Sequence, residues 1–180
     1  MDWIVIVTAV SLLTDYSIKK FFMLQKYPYT FLFSLLSFAI IYTAFDNPLM
    51  IVKGCVFTQT LIIIAYVDLE KREISNIMLV CTALCGLIEF NPIKSFTGAF
   101  AIFVIMFTLV YMGAGIGGGD IKFLSACGFV LGLRETVFAS IITFTLFTLF
   151  ALVLKKNKAF AYPLAPFISI GCFISFILTQ

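Results

Sequence analysis

Two aspartates in this chain each stand where a long apolar run meets a charged or glycine-rich break. Asp68 lies in Ala65-Tyr66-Val67-Asp68-Leu69-Glu70-Lys71-Arg72, and Asp120 in Gly117-Gly118-Gly119-Asp120-Ile121-Lys122. Two carboxylates sharing a partly desolvated site cannot both ionise cheaply, so one keeps a proton while the other activates water. The protonated partner then donates to a carbonyl oxygen, and an amide is hydrolysed without histidine, metal or covalent intermediate. The chain contains no histidine, which excludes Ser-His-Asp hydrolases, Cys-His proteases and HExxH metalloproteases together.

Gly117, Gly118 and Gly119 remove side chains where the backbone meets Asp120, so an extended substrate strand could approach the carboxylate. The competing reading is helix packing, because Gly113 with Gly117 and Gly115 with Gly119 have small-xxx-small spacing. For Asp68 the competing reading is a solvated charge at a helix end. Lys122 could bias the charge of a carboxylate pair or anchor a membrane boundary. Glu70 and Glu73 interleave with Lys71 and Arg72 as a solvated loop would. Asp15, followed by Lys19 and Lys20, resembles Asp68 superficially but lacks its continuation, and is expected to be noncatalytic.

The elements that must position these residues are membrane helices. Of 180 residues, 62% are hydrophobic and 12% charged, against roughly 25% charged in a soluble domain. Since about 20 apolar residues cross a bilayer, the sequence predicts an all-α polytopic transmembrane bundle with eight hydrophobic segments, near 2–18, 29–45, 49–67, 75–89, 95–116, 121–133, 136–154 and 159–178. The sixth is short enough to be an incomplete crossing. The first begins with Asp2 and lacks a clear cleavage site, so it reads as a span and not as a secretory signal. Residues 1–180 read as one membrane domain without a soluble appendage.

Basic residues set the expected orientation. Lys19, Lys20, Lys26, Lys71, Arg72, Lys122, Lys155, Lys156 and Lys158 fall on one side, and Lys53, Lys94 and Arg134 on the other. The richer side should face the cytoplasm, which puts Asp68 and Asp120 there. The net charge of +3 is accounted for by these boundary positions, so no nucleic-acid partner is implied. Cys55, Cys81, Cys85, Cys127 and Cys172 lie inside apolar segments, where cysteine packs as a small residue. Cys81 and Cys85 share a helix face but lack further zinc ligands, so no metal or other cofactor is expected.

Asp68 followed by a basic stretch and Ile74-Ser75-Asn76, and later by Gly117-Gly118-Gly119-Asp120-Ile121-Lys122, resembles the type IV prepilin peptidase family, Gly-x-Gly-Asp intramembrane proteases of bacterial and archaeal membranes. The resemblance covers about residues 60–180, since Tyr162-Pro163-Leu164-Ala165-Pro166-Phe167 is similar to the start of the family's last helix. It implies that Asp68 and Asp120 are a catalytic pair cleaving the basic leader of prepilins or pilin-like precursors at the cytoplasmic face of the cell membrane. It also makes Asn76 and Lys122 candidates for a supporting role. Serine replaces the family's usual proline at position 75, and Ser75 or Asn76 can cap the fourth helix instead. The paired CxxC insert of the long, methylating members has no counterpart, so the short, peptidase-only form is expected.

Two other classes fit membrane carboxylates: a small proton or cation transporter, and a noncatalytic subunit of a secretion machine. The absence of an acid in the middle of a span and of an evident internal repeat weighs against the first. Tolerance of either aspartate's loss would identify the second.

Overall fold

The computed structural model describes residues 2–22, 30–113, 115–154 and 162–178. Lys26, Lys155, Lys156 and Lys158, used above to orient the chain, lie outside the described residues. Eight helices follow one another without a strand among the described residues: α1 (Asp2–Phe22), α2 (Phe31–Ala44), α3 (Pro48–Lys71), α4 (Asn76–Cys85), α5 (Pro92–Tyr111), α6 (Gly118–Leu131), α7 (Leu133–Leu154) and α8 (Ala165–Leu178). The expected all-α bundle of eight segments is the architecture found, and α3, α5 and α7 are long and apolar enough to cross a membrane.

Local chemistry explains where helices start and stop. Asn47 and Asn91 cap α3 and α5 by accepting the amides of Leu49 and Lys94. In each case proline follows at the first helical position, where its missing N–H costs nothing. Arg72 ends α3 in the left-handed conformation, φ 56°, donating its amide to the Asp68 carbonyl. Gly132, φ 97°, breaks the chain between α6 and α7, a conformation that favours glycine.

The segment expected at 75–89 is helical only to Cys85. Gly86 is pressed against the Phe129 ring, where a β-carbon would come within 2.7 Å, and turns follow before Asn91 and Pro92 start α5. By helical rise α4 is about 15 Å long and α6 about 21 Å. Both are shorter than a hydrocarbon core of about 30 Å.

Inside lipid the hydrophobic effect gives helices little reason to associate, so close packing and hydrogen bonds must do it. Gly98 of α5 and Gly128 of α6 bring two backbones together: a β-carbon on Gly128 would sit 2.7 Å from the Gly98 carbonyl oxygen. Hydroxyls reach across other seams. Ser169 of α8 donates to the Leu61 carbonyl at 3.0 Å, and Ser125 of α6 to that of Ala99 at 2.9 Å. Gln59 of α3 donates to Thr14 of α1 at 2.8 Å and accepts from Ser34 of α2 at 2.5 Å. Large apolar side chains such as Phe33, Phe96 and Phe100 remain exposed on the outside, as lipid-facing positions should.

Candidate active site

Phe57, Leu61, Ile64 and Asp68 recur at helical spacing along one buried face of α3. That face packs against α8, through the Phe57 and Phe176 rings and the Ser169 hydrogen bond. Asp68 therefore ends the packed stripe of its helix and not the solvated one, and only 6% of it is exposed. Its carboxylate Oδ2 accepts the backbone N–H of Ala165 at 3.1 Å. Ala165 opens α8, whose first amides have no partner within the helix, so the carboxylate meets both a free donor and the positive end of the helix dipole.

Asp120 is the third residue of α6, with Gly117 at the capping position. Its carboxylate lies beside Gly117, whose N–H favours the ionised form, and its own amide donates to the Gly117 carbonyl at 3.1 Å. The carboxyl is half-buried, and burial, followed by the negative charge of Asp68, pushes it up to about 6, against the lowering pull of the Gly117 N–H. The two aspartates are thus within electrostatic reach of each other at one end of the bundle. The connection between α3 and α4 completes the approach: Ile74 lies against Gly119, 3.5 Å from where its β-carbon would be.

The three glycines play different parts. A β-carbon on Gly117 would come within 3.0 Å of Asp120 Oδ2, whereas one on Gly118 would meet nothing within 4 Å. Gly117, with φ −68°, needs no special conformation, so what its lack of a side chain preserves is room at the carboxylate. The small-xxx-small reading of Gly113, Gly115, Gly117 and Gly119 does not describe this segment, because residues 115–117 are not helical. The helical glycine contact is the Gly98 and Gly128 pair.

The remaining expected positions lie further out. Lys122 is exposed, two residues past Asp120 and therefore turned roughly 200° around α6. Asn76 is the exposed first residue of α4; Ser75 holds the capping position, with its carbonyl accepting from Met78 and Leu79, but its hydroxyl makes no capping bond. Asp15 is fully buried and takes the amide and the hydroxyl of Thr30, capping α2. Sequence reasoning missed Ala165 as the partner of Asp68. The signal for it was the Pro163 and Pro166 punctuation, which announces a helix start whose amides must find acceptors.

An apolar cavity of about 810 Å³ opens between α1, α3 and α4, with Tyr16, Ile64, Ile77 and Met78 among its lining. A family model, that of the type IV leader peptidase family, matches residues 55–153. The matched stretch contains both aspartates and the three glycines and stops short of the Tyr162 to Phe167 segment. No curated protein and no solved structure matches the chain.

Proposed function

Because the chain belongs to the type IV leader peptidase family, and is thereby a membrane peptidase, we propose that it is an aspartyl endopeptidase that removes the basic leader from prepilins or pilin-like precursors. What supports this reading is that Asp68, in the last turn of α3, and Asp120, in the first turn of α6, lie toward the same end of the bundle, where Ile74 of the α3–α4 connection packs against Gly119.

The proposed mechanism divides the roles by surroundings. Asp68 is held by the Ala165 N–H and faces the start of α8, so it is the member that gives up its proton first and activates water. Asp120 retains the shared proton and donates it to the scissile carbonyl oxygen. The apparent ionisations belong to the pair. Gly117 and Gly118 leave the side of Asp120 open to an extended strand, and the apolar cavity beside α1, α3 and α4 gives the substrate's apolar helix a place to lie. In this reading the peptidase unit spans 1–180, needs no metal or other cofactor, and sits in the cell membrane with the aspartates on the cytoplasmic side, following the distribution of basic residues.

The test is co-expression with candidate prepilins and mass spectrometry of the new N-terminus. Cleavage of a pilin-like precursor that is lost in both Asp68→Asn and Asp120→Asn, at matched membrane levels, is the expected result. Full processing by either variant would refute the pair.

A further inference from the structure

At the end of the bundle opposite the aspartates, Lys53 is 8% exposed. It lines a cavity of about 300 Å³ together with Glu89, Asn91, Lys94, Ser95 and Glu135. Its ammonium makes no hydrogen bond or ion pair among the described residues, and Glu89 and Lys94 act on it only through space. A lysine whose stem is buried in a membrane helix and whose ammonium opens onto a polar-lined cavity is placed to hold an anion there. The helix starts at Pro48, Pro92 and Leu133 all lie at this end, so three positive dipole ends add to the same field.

The charges are also layered. Lys53 is the sixth residue of α3, about 8 Å below its first residue by helical rise. Glu89 lies in the connection before α5, exposed and held by the Asn47 side-chain amide at 2.9 Å, and Glu135 stands in the first turn of α7. The deepest charge is therefore the Lys53 cation, and both anions are shallow, with Lys94 beside them on the rim. A phospholipid whose headgroup ends in a primary ammonium has the complementary order along the membrane normal: phosphate nearer the acyl chains, ammonium nearer water. The cavity volume falls at the lower end of small-ligand pockets, roughly 300 Å³ and upward.

We propose that this cavity binds the phosphoethanolamine headgroup of a membrane lipid, with its phosphate on Lys53 and Lys94 and its ammonium on Glu89 and Glu135. Two lysines and two glutamates leave the lining formally neutral, which suits a zwitterion better than a bare anion. The donors of a primary ammonium can reach both carboxylates, which a trimethylated ammonium cannot do.

The experiment titrates the purified protein in detergent with dihexanoyl phosphatidylethanolamine, phosphatidylglycerol and phosphatidylcholine, and separately with inorganic phosphate, reading bound lipid by native mass spectrometry. One equivalent of phosphatidylethanolamine should bind, at least tenfold more tightly than the other two lipids, and inorganic phosphate should not displace it. Lys53→Met should weaken binding at least tenfold while leaving the protein folded, because it removes an uncontacted buried charge. Lys94→Ala, on the exposed rim, gives an independent arm and should weaken binding several-fold. Glu135→Gln should abolish the preference for phosphatidylethanolamine over phosphatidylglycerol. Equal binding of the three lipids, displacement by phosphate alone, or unchanged affinity in the Lys53 and Lys94 variants would overturn the proposal. Prepilin cleavage is not the readout, so this result stands apart from the proposed protease activity.

Discussion

The side chain of Asp68 and the backbone N–H of Ala165, 97 residues apart in sequence, are joined by a 3.1 Å hydrogen bond. The bond ties the end of α3 to the start of α8 and gives Asp68 a structural duty separable from chemistry. Asparagine keeps an acceptor oxygen for Ala165 and alanine does not. Asp68→Asn should therefore lose cleavage by about 10²- to 10⁴-fold with little change in melting temperature. Asp68→Ala should lose the same activity and also about 1 kcal/mol of stability, the usual cost of a missing cap. Parallel melting curves and cleavage assays check this, and equal melting of the two variants would count against the capping role.

A second prediction concerns pH. The Asp120 carboxyl is raised from its ordinary 3.8 to about 6, so folding favours its protonated form. That contribution is fully present below about pH 4 and is lost as pH rises through about 6. Asparagine at this position is uncharged throughout, so Asp120→Asn should melt above the parent protein at pH 8 and level with it at pH 4. Cleavage by the parent should decline over the same upper limb as the shared proton leaves the pair. A melting difference independent of pH would refute the assignment.

The glycines divide into two tests. Gly117→Ala puts a methyl group 3.0 Å from Asp120 Oδ2 and should lower the turnover number with little effect on KM. Gly118→Ala meets no protein atom within 4 Å, so it should melt normally. If a substrate strand runs past it, KM rises while turnover holds. Unchanged kinetics in Gly118→Ala would place the strand elsewhere.

Asp15 supplies the contrasting case. Its carboxylate caps α2 through Thr30, so Asp15→Ala should lower the melting temperature by the equivalent of about 1 kcal/mol while retaining full specific activity per folded molecule. Titration of active protein after purification separates the two effects.

Ser75 offers a stabilising substitution. Its φ of −71° is the value a proline ring imposes, and it precedes the first residue of α4. Ser75→Pro should raise stability by about 0.4–1 kcal/mol through the unfolded chain, read as an upward shift in melting temperature with cleavage retained.

The parts of this fold that were legible in the sequence are those set by residue type over a local window. Eight apolar runs gave eight helices, and the run ends marked Asp68 at the end of α3 and Asp120 at the start of α6. What was illegible depends on distant partners. Gly98 and Gly128 are unremarkable in their own segments and become a backbone contact only once α5 and α6 are docked. Conversely, the spacing of Gly113 and Gly117 looked like helix packing and is not, since the chain there leaves the helix. The fourth segment leaves the helix after Cys85 through turns that reach Glu89 at φ 52°, while Gly86 leaves room for the Phe129 ring of α6. Lys53 read as a topological marker; its burial emerges only when α3, α5 and α7 bring their starting ends together.

The brevity of α4 and α6 has a consequence for the surrounding lipid. These two helices pack against each other, and both are shorter than the hydrocarbon layer they stand in. Acyl chains meeting this pair would have to compress or tilt to match, which would thin the bilayer beside it. Asp120 stands on the first turn of α6, at the boundary end of this pair. On the proposed function, such thinning would bring bulk water, the co-substrate of the hydrolysis, closer to the Asp120 carboxylate at the end of the sixth span.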